Sequence, residues 1–412
     1  LLGKYQYLLE SSPKGIRVDQ DKSPRMVRRI LFEDSLLKFF PYSELYIKDD
    51  ASIISDYFHF VEGLQLKASL GNQEEGYMGQ DYCWSEGQIN NVRFSNHIAG
   101  DQIFLMLAFP YMNNYPDTKA YKGEISDIVT TIAKDVLKIA STNVDRIIDG
   151  KKISEPTFHI SPTINGKDEI WYQGKRNQRE FIEYLSTRAL TKSSNSISPY
   201  VTFINSNGEF YFSTLDELYK QSPVKKFKIE MNSDMSTTAG FVKNYDIMNG
   251  GLLCNLSSYK NKVFTLEGQG IPTVDETVAL SDRFIKLKGN NSKFLAKKAY
   301  QAFNSISNYG IVEDTDANNI KGRKNFEYIN SNMAYRMTLV DMFDPNLVTG
   351  KTVEVQVEKT SDGNISTEYS GVWLIIESST VMDMEAAPYT KMTIVKPSIE
   401  IDKDNPFIND FL

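Results

Sequence analysis

Three histidines, two cysteines and a handful of acidic pairs are what this chain offers to catalysis. His59, His97 and His159 have no second His or Cys at a metal-ligand spacing, and the HExxH pattern that places two imidazoles on one helix face is absent. His59 lies in the aromatic stretch YFHF and reads as a packed or edge histidine of a strand. Cys83 and Cys254 are far apart and outside any C-x-x-C, so neither zinc nor a disulfide framework is indicated. A serine nucleophile would need the strained elbow G-x-S-x-G, which does not occur, and a cysteine nucleophile has no better support. Two carboxyl groups held several ångströms apart can cleave a glycosidic bond. The visible clusters, Glu74 with Glu75 and Asp314 with Asp316, sit beside Gly or Asn in polar stretches that read as solvated loops. Asp402, Asp404 and Asn405 loosely match a calcium loop but lack its Gly and its closing Glu. Lys286, Lys288, Lys293, Lys297 and Lys298 read as a solvated face, with an acidic partner protein next in order and DNA last. Trp84, Trp171 and Trp373 have apolar neighbours, which favours core or interface packing over carbohydrate platforms. The expectation is a chain with no catalytic residue, no cofactor and no metal.

The elements around these residues are better marked than any chemistry. Asn177 with Glu180 has capping-box spacing, and Phe181, Ile182, Leu185 and Ala189 then share one helical face. Val201 and Phe203 lead into the turn Asn207-Gly208, where positive φ is cheap, and Phe210 and Phe212 return at period two, predicting a β-hairpin. Thr214 with Glu217 repeats the capping box before Leu215 and Leu218. Upstream, Ile125, Ile128, Val129, Ile132, Ala133, Val136 and Leu137 predict an amphipathic helix from near Glu124 that packs on the hairpin of residues 201 to 212. Strand-like alternation recurs at Leu64, Leu66 and Ala68, at Phe227, Ile229 and Met231, at Val263, Phe264 and Leu266, and at Val353, Val355 and Val357. A helix capped by Ser292 is expected through Phe294, Leu295, Ala299, Ala302 and Phe303.

The series Gln173, Asn177, Phe181, Phe203, Gly208, Phe210, Phe212 and Leu215 resembles the middle domain of phage baseplate hub proteins, trimeric rings that join the tail tube to the central spike of contractile-tailed phages. Two further stretches carry the same resemblance. From Met337 to Ile399, a turn with Leu347 and Gly350 feeds a valine-rich strand, and Gly371 to Ile376 and Tyr389 to Ile394 follow as the last two strands about a bend. Many relatives place a His in that bend, where this chain has Ser378, Ser379 and Thr380. Near the N-terminus, an acidic turn at Asp49 and Asp50 precedes Gly63 and an alternating strand.

The resemblance implies a mainly β fold with α+β character: two tail-tube-type β-barrels, an α/β domain between them and a small inserted helix-loop subdomain. The expected boundaries are an extended N-terminal arm over 1–24, a first barrel over 25–112, the α/β domain over 113–222, a second barrel over 223–280 and 335–400, the insertion over 281–334 and a tail over 401–412. It implies a homotrimer whose six barrels form a pseudo-sixfold ring. Its partners would be the tail tube protein, the central spike protein and other baseplate proteins, with DNA only as non-specific cargo. Its place would be the virion, after synthesis in the host bacterial cytoplasm. Direct internal repetition between the two barrel regions is weak, so the pairing of barrels comes from the resemblance alone.

Composition is compatible with this. At 412 residues the length predicts two to four domains, and 23 Tyr with 23 Phe favour strands and broad contact surfaces. A net charge of −7 argues against a dedicated nucleic-acid binder, which neutralises phosphates with clustered cations. An acidic bore would let DNA slide past. No apolar run has the length of a membrane span, and no signal-peptide pattern is seen. A tail-associated peptidoglycan hydrolase is the rival reading and a carbohydrate-binding adhesin the third. With the chain ending at Leu412, soon after the last expected strand, no appended lytic domain is expected.

Overall fold

The computed structural model describes side chains over residues 28–48, 118–135, 157–164, 169–191, 200–229, 336–357, 369–383 and 388–396, and backbone strands or helix ends beyond these ranges. The first part of the chain forms β1 (Tyr5–Ser12), β2 (Arg17–Asp19), β3 (Val27–Ser35), β4 (Tyr42–Asp49), β5 (Gln65–Asn72), β6 (Tyr82–His97) and β7 (Gly100–Ala108). The middle forms β8 (Ala120–Lys122), α1 (Ile125–Ser141), β9 (Arg146–Ile148), β10 (Lys151–Ile153), β11 (Phe158–Ile160), β12 (Ile170–Tyr172), α2 (Gln178–Ser186), β13 (Tyr200–Ile204), β14 (Phe210–Thr214) and α3 (Leu215–Tyr219). The last part forms β15 (Lys225–Glu230), β16 (Asn244–Asp246), β17 (Val263–Leu266), β18 (Ile285–Leu287), β19 (Gly310–Glu313), β20 (Tyr335–Met342), β21 (Thr352–Glu358), β22 (Gly371–Asp383), β23 (Ala386–Lys396) and β24 (Ile399–Ile401).

One 13-stranded sheet runs in the order β16-β20-β23-β22-β3-β4-β7-β6-β5-β1-β2, with β21 also paired to β22, and β15 to β21. The strand β22 makes this continuity possible. One of its edges follows β23 from Leu374 to Asp383, while the other serves β21 from Gly371 to Leu374 and then β3 from Glu377 to Asp383. At the changeover a bulge leaves Ile376 out of register with β23. Its carbonyl accepts from Leu36 N–H at 2.8 Å, and the carbonyl of Ile375 accepts from Gly350 N–H at 2.9 Å. Both freed backbone acceptors are thereby satisfied, as buried carbonyls require. The sequence reading expects two barrels here; the described strands pass from one β-rich region to the other through β3 and β22, and no ring of pairings closes among them.

The hairpin of β13 and β14 is a septum with both faces covered. Every residue of the two strands is buried. Tyr200, Ile204, Phe210 and Phe212 pack with Ile125, Val129 and Ile132 of α1 and with Phe181, Ile182 and Leu185 of α2. Val201, Phe203 and Tyr211 pack on Leu374, Ile376 and Val395 of β22 and β23. The connection after β3 grips the hairpin from both sides. Leu36 joins the second cluster and Phe39 the first, and the Phe39 carbonyl takes the Ile204 N–H at 2.8 Å.

Several local expectations are met and several are revised. The Asn177 capping box is complete, with the Asn177 side chain taking the Glu180 N–H at 2.8 Å and Glu180 taking the Asn177 N–H at 3.0 Å. At Thr214 only half of the box forms. Thr214 Oγ1 takes the Glu217 N–H, while the Glu217 carboxylate is drawn 2.6 Å from Lys220 Nζ instead. The stretch Ser378 to Thr380, read as a bend, is strand, because β3 supplies it with a partner edge. Part of the segment read as an extended arm is also strand, β1 and β2 pairing with each other and β1 with β5. The Ser292-capped helix, Met231 and the acidic pairs at Glu74 and Asp314 lie outside the described residues.

Gly350 sits at φ +89°, and a Cβ there would lie 2.7 Å from Phe203 Cζ. That ring cannot yield, being buried and stacked 4.7 Å from Tyr211 at 5° between planes. Gly350→Ala therefore combines left-handed backbone strain with overpacking and should cost about 2–4 kcal/mol. The measurement is the shift of the chemical denaturation midpoint against wild type.

Candidate functional site

The tip of the septum is where the three parts of the chain meet, and Asn205 shapes it. Its Oδ1 accepts from Asn207 N–H at 3.1 Å and Glu209 N–H at 3.0 Å, a side-chain mimic of a backbone turn. Gly208, at φ +70°, donates to the Asn205 carbonyl at 2.8 Å. The folded tip aims the Ser206 N–H outward from the hairpin.

That N–H meets Asp34 of β3. Asp34 Oδ2 accepts from Ser206 N–H at 2.7 Å, and Oδ1 accepts from Thr349 Oγ1 at 2.8 Å and Thr349 N–H at 3.3 Å. The side chain is 3% exposed. Burial raises its pKa above the ordinary 3.8 although the Ser206 and Thr349 donors pull the other way. One carboxylate thus ties the first β-region to the hairpin and to the turn before β21. Asn207 Nδ2 adds a bond to the Pro345 carbonyl at 3.2 Å, and Ser378 Oγ donates to the Leu347 carbonyl at 2.6 Å.

A second carboxylate stands beside the first. Glu209 lies 3.0 Å from Lys351 Nζ and takes bonds from Asn205 Nδ2 at 2.7 Å and Tyr211 Oη at 3.0 Å. His159 Nε2 is 3.6 Å from it, beyond hydrogen-bond length, and the imidazole stacks on Tyr211 at 4.3 Å. Burial alone would raise the Glu209 pKa; His159, the Lys351 ammonium and Asn205 outweigh it and hold the carboxyl well below the ordinary 4.5. The Tyr211 phenol is pushed far up by its burial and by the neighbouring Glu209 charge.

The oxygens of Asp34 and Glu209 are already occupied by donors of this chain, so the cluster acts as a clamp. It holds three sequence-distant parts in one geometry. Among the described residues, His159 is the candidate for chemistry that reaches it. Trp171 and Trp373 are buried, at 8% and 1% exposure, as packing residues. His97, Cys83, Trp84 and Lys286 fall on described strand backbone, and His59, Cys254, Asp402, Asp404, Asn405 and the other lysines of the basic cluster lie outside the described residues. Sequence reading missed Asp34, Glu209 and Lys351. Only a charge between Gly208 and Phe210, in an otherwise apolar hairpin, marked one of them.

On the outer face of the seam, an open cleft of about 430 Å³ is lined by Glu33, Ser35, Lys38, Glu377, Ser379 and Lys391, among others. It carries both signs of charge across the joint between β3 and β22.

No protein-family model matches the chain, and no curated protein matches it. Solved structures match it in fold. The tail protein from Neisseria meningitidis MC58 superposes with a TM-score of 0.55 at 9% identity, over 97% of this chain and 100% of that one. The 43 kDa tail protein of prophage MuSo2 from Shewanella oneidensis gives a TM-score of 0.52 at 10% identity, over 96% and 99%. The fold of this chain is that of tail proteins, the class to which the residue-level resemblance pointed.

The clamp makes signed predictions. Glu209 titrates lower when folded than unfolded, so its contribution is present above about pH 4.5 and is lost as pH falls below that. Asp34 titrates higher when folded, so its charged form costs stability at neutral pH and that cost is relieved on acidification. Glu209→Gln should flatten the loss of stability between about pH 5 and pH 3, in urea midpoints taken along a pH series. Asp34→Asn turns an amide donor toward the Ser206 or Thr349 N–H and should lower stability at pH 7 by about 1–3 kcal/mol.

Proposed function

We propose that the chain is a structural baseplate hub: a homotrimeric, pseudo-sixfold ring that connects a hexameric tail tube to a trimeric central spike and encloses the channel for genome passage. The observation that carries this reading is the fold shared with two tail proteins over nearly the whole length of all three chains. In this reading 25–112 is one ring-forming module and 223–280 with 335–400 is the other, with the α/β part 113–222 between them, an inserted subdomain over 281–334, an N-terminal arm over 1–24 and a tail over 401–412. The single sheet through β3 and β22 supports it, because it fixes the two regions to each other and lets three chains supply six matched modules. The Asp34 and Glu209 clamp supports it as well, since an adaptor works by rigid surface complementarity.

Its partners are the tube, the spike and neighbouring baseplate proteins, and DNA passes as non-specific cargo along a bore that the net charge of −7 keeps from adhering. Among the described residues no helix is long and apolar enough to cross a membrane. The work is done in the virion and without catalysis.

Light scattering coupled to gel filtration should give a mass near three times 46.9 kDa, and averaged electron micrographs should show a threefold ring with a central hole. A stable monomer at micromolar concentration overturns the proposal. A peptidoglycan zymogram should show no clearing; a cleared band would move the assignment to a wall hydrolase.

A further inference from the structure

The ribbon of β8 and β12 lies apart from the large sheet, and its pairing decides what β12 offers to a neighbour. Trp171 is opposite Tyr121, Ile170 opposite Lys122 and Tyr172 opposite Ala120. Gln173 N–H donates to the Lys119 carbonyl at 2.9 Å and Gly123 N–H to the Glu169 carbonyl at 3.3 Å. These bonds mark Glu169, Trp171 and Gln173 as the positions whose backbone faces β8. In an antiparallel pair the positions between them face the other way. Ile170 and Tyr172 therefore turn both N–H and C=O outward, along an edge that pairs with no other strand among the described residues.

The side chains on this edge do nothing to protect it. Trp171 and Gln173 point inward, at 8% and 0% exposure, whereas Ile170 is 53% exposed and Tyr172 65%. Strand edges that must stay unpaired usually carry a Pro, a charged residue or a bulge; β12 carries none of these and presents a large apolar side chain at each outward position. Just beyond it, Lys175 is exposed and the Arg176 guanidinium stacks 4.0 Å from the centre of the Tyr184 ring, and neither has a carboxylate partner among the described residues. Stacking leaves the planar N–H fork of an arginine open for two parallel bonds to a carboxylate.

We infer that the outer edge of β12 is a strand-addition site for an extended segment of a partner protein, one with apolar residues at alternate positions and an acidic flank. The unpaired backbone groups select an extended chain. Ile170 and Tyr172, two residues apart on one face, select the apolar alternation, and Lys175 with Arg176 select the acidic end. The inference stands on the geometry of this edge and does not require the ring proposed above.

The test uses the full chain and a fluorescently labelled peptide, acetyl-Glu-Val-Thr-Val-Thr-Val-Glu-amide, followed by anisotropy. Saturable binding is expected. The same peptide N-methylated at alternate amides, and a version with Lys in place of Glu, should each bind at least about tenfold more weakly. Tyr172→Pro removes an outward donor and leaves the bonds to β8 intact, so it should weaken binding to a similar degree with an unchanged thermal midpoint. Should that variant fail to fold, the N-methylated peptide on the wild-type chain decides. Absence of saturable binding, or equal affinity for the N-methylated peptide, overturns the inference. Dissociation of the protein's own oligomer in Tyr172→Pro would also overturn it, by giving the edge to a second copy of this chain.

Discussion

A carboxylate that is buried beside sheet and hairpin must find its donors, and Asp34 finds them only when three distant stretches of chain are in place. Its partners are 172 and 315 residues away along the sequence. Removing an ionised carboxyl from water costs several kcal/mol unless it is fully hydrogen-bonded. The native geometry is therefore the one in which the Ser206 tip and the Thr349 turn both close on β3. A slip of any of the three parts would leave a charge buried without partners, which discourages partly docked states more strongly than apolar packing does. Apolar contacts degrade gradually; a lost charge partner does not.

The septum explains why such a clamp is worth having. A hairpin buried on both faces has no solvent side to set its register, since every outward choice is also inward. Alternation still sorts Phe210 and Phe212 to the helices and Tyr211 to β22 and β23, but both sets are apolar, and a slip by one residue would exchange two greasy faces. The tip supplies the missing discrimination. Asn205 organises the loop, Glu209 meets Lys351, and Gly350 leaves room for Phe203, so that only one register places each polar group against its counterpart.

The same seam couples the two β-rich regions mechanically. Because β22 is bonded to β21 along one half and to β3 along the other, motion of one β-rich region is carried into its neighbour through backbone hydrogen bonds instead of a flexible linker. The bulge at Ile376 bends the strand where its partners change. That continuity resists hinge motion between the two β-rich regions.

Local rules were legible before any coordinates. The helix from Ile125, the Asn177 cap, the apolar faces of both helices, the Gly208 turn and the valines of β21 follow from periodicity and capping chemistry, which act within a few residues. Those signals end where partners are remote. Glu217 prefers Lys220 to the backbone of Thr214, and Ser378 to Thr380 form strand because β3 lies alongside. Neither choice can be read from neighbouring residues.

What the chain alone determined is therefore its β-rich class, its helix and hairpin in the middle and its likeness to tail proteins, because alternation, caps and turn residues are short-range properties. Tertiary structure decided which carboxylates became a clamp, which strand served two partners and which edge stayed open. Each of those depends on desolvation and backbone pairing between residues far apart in sequence, and such energies exist only after the fold has brought them together.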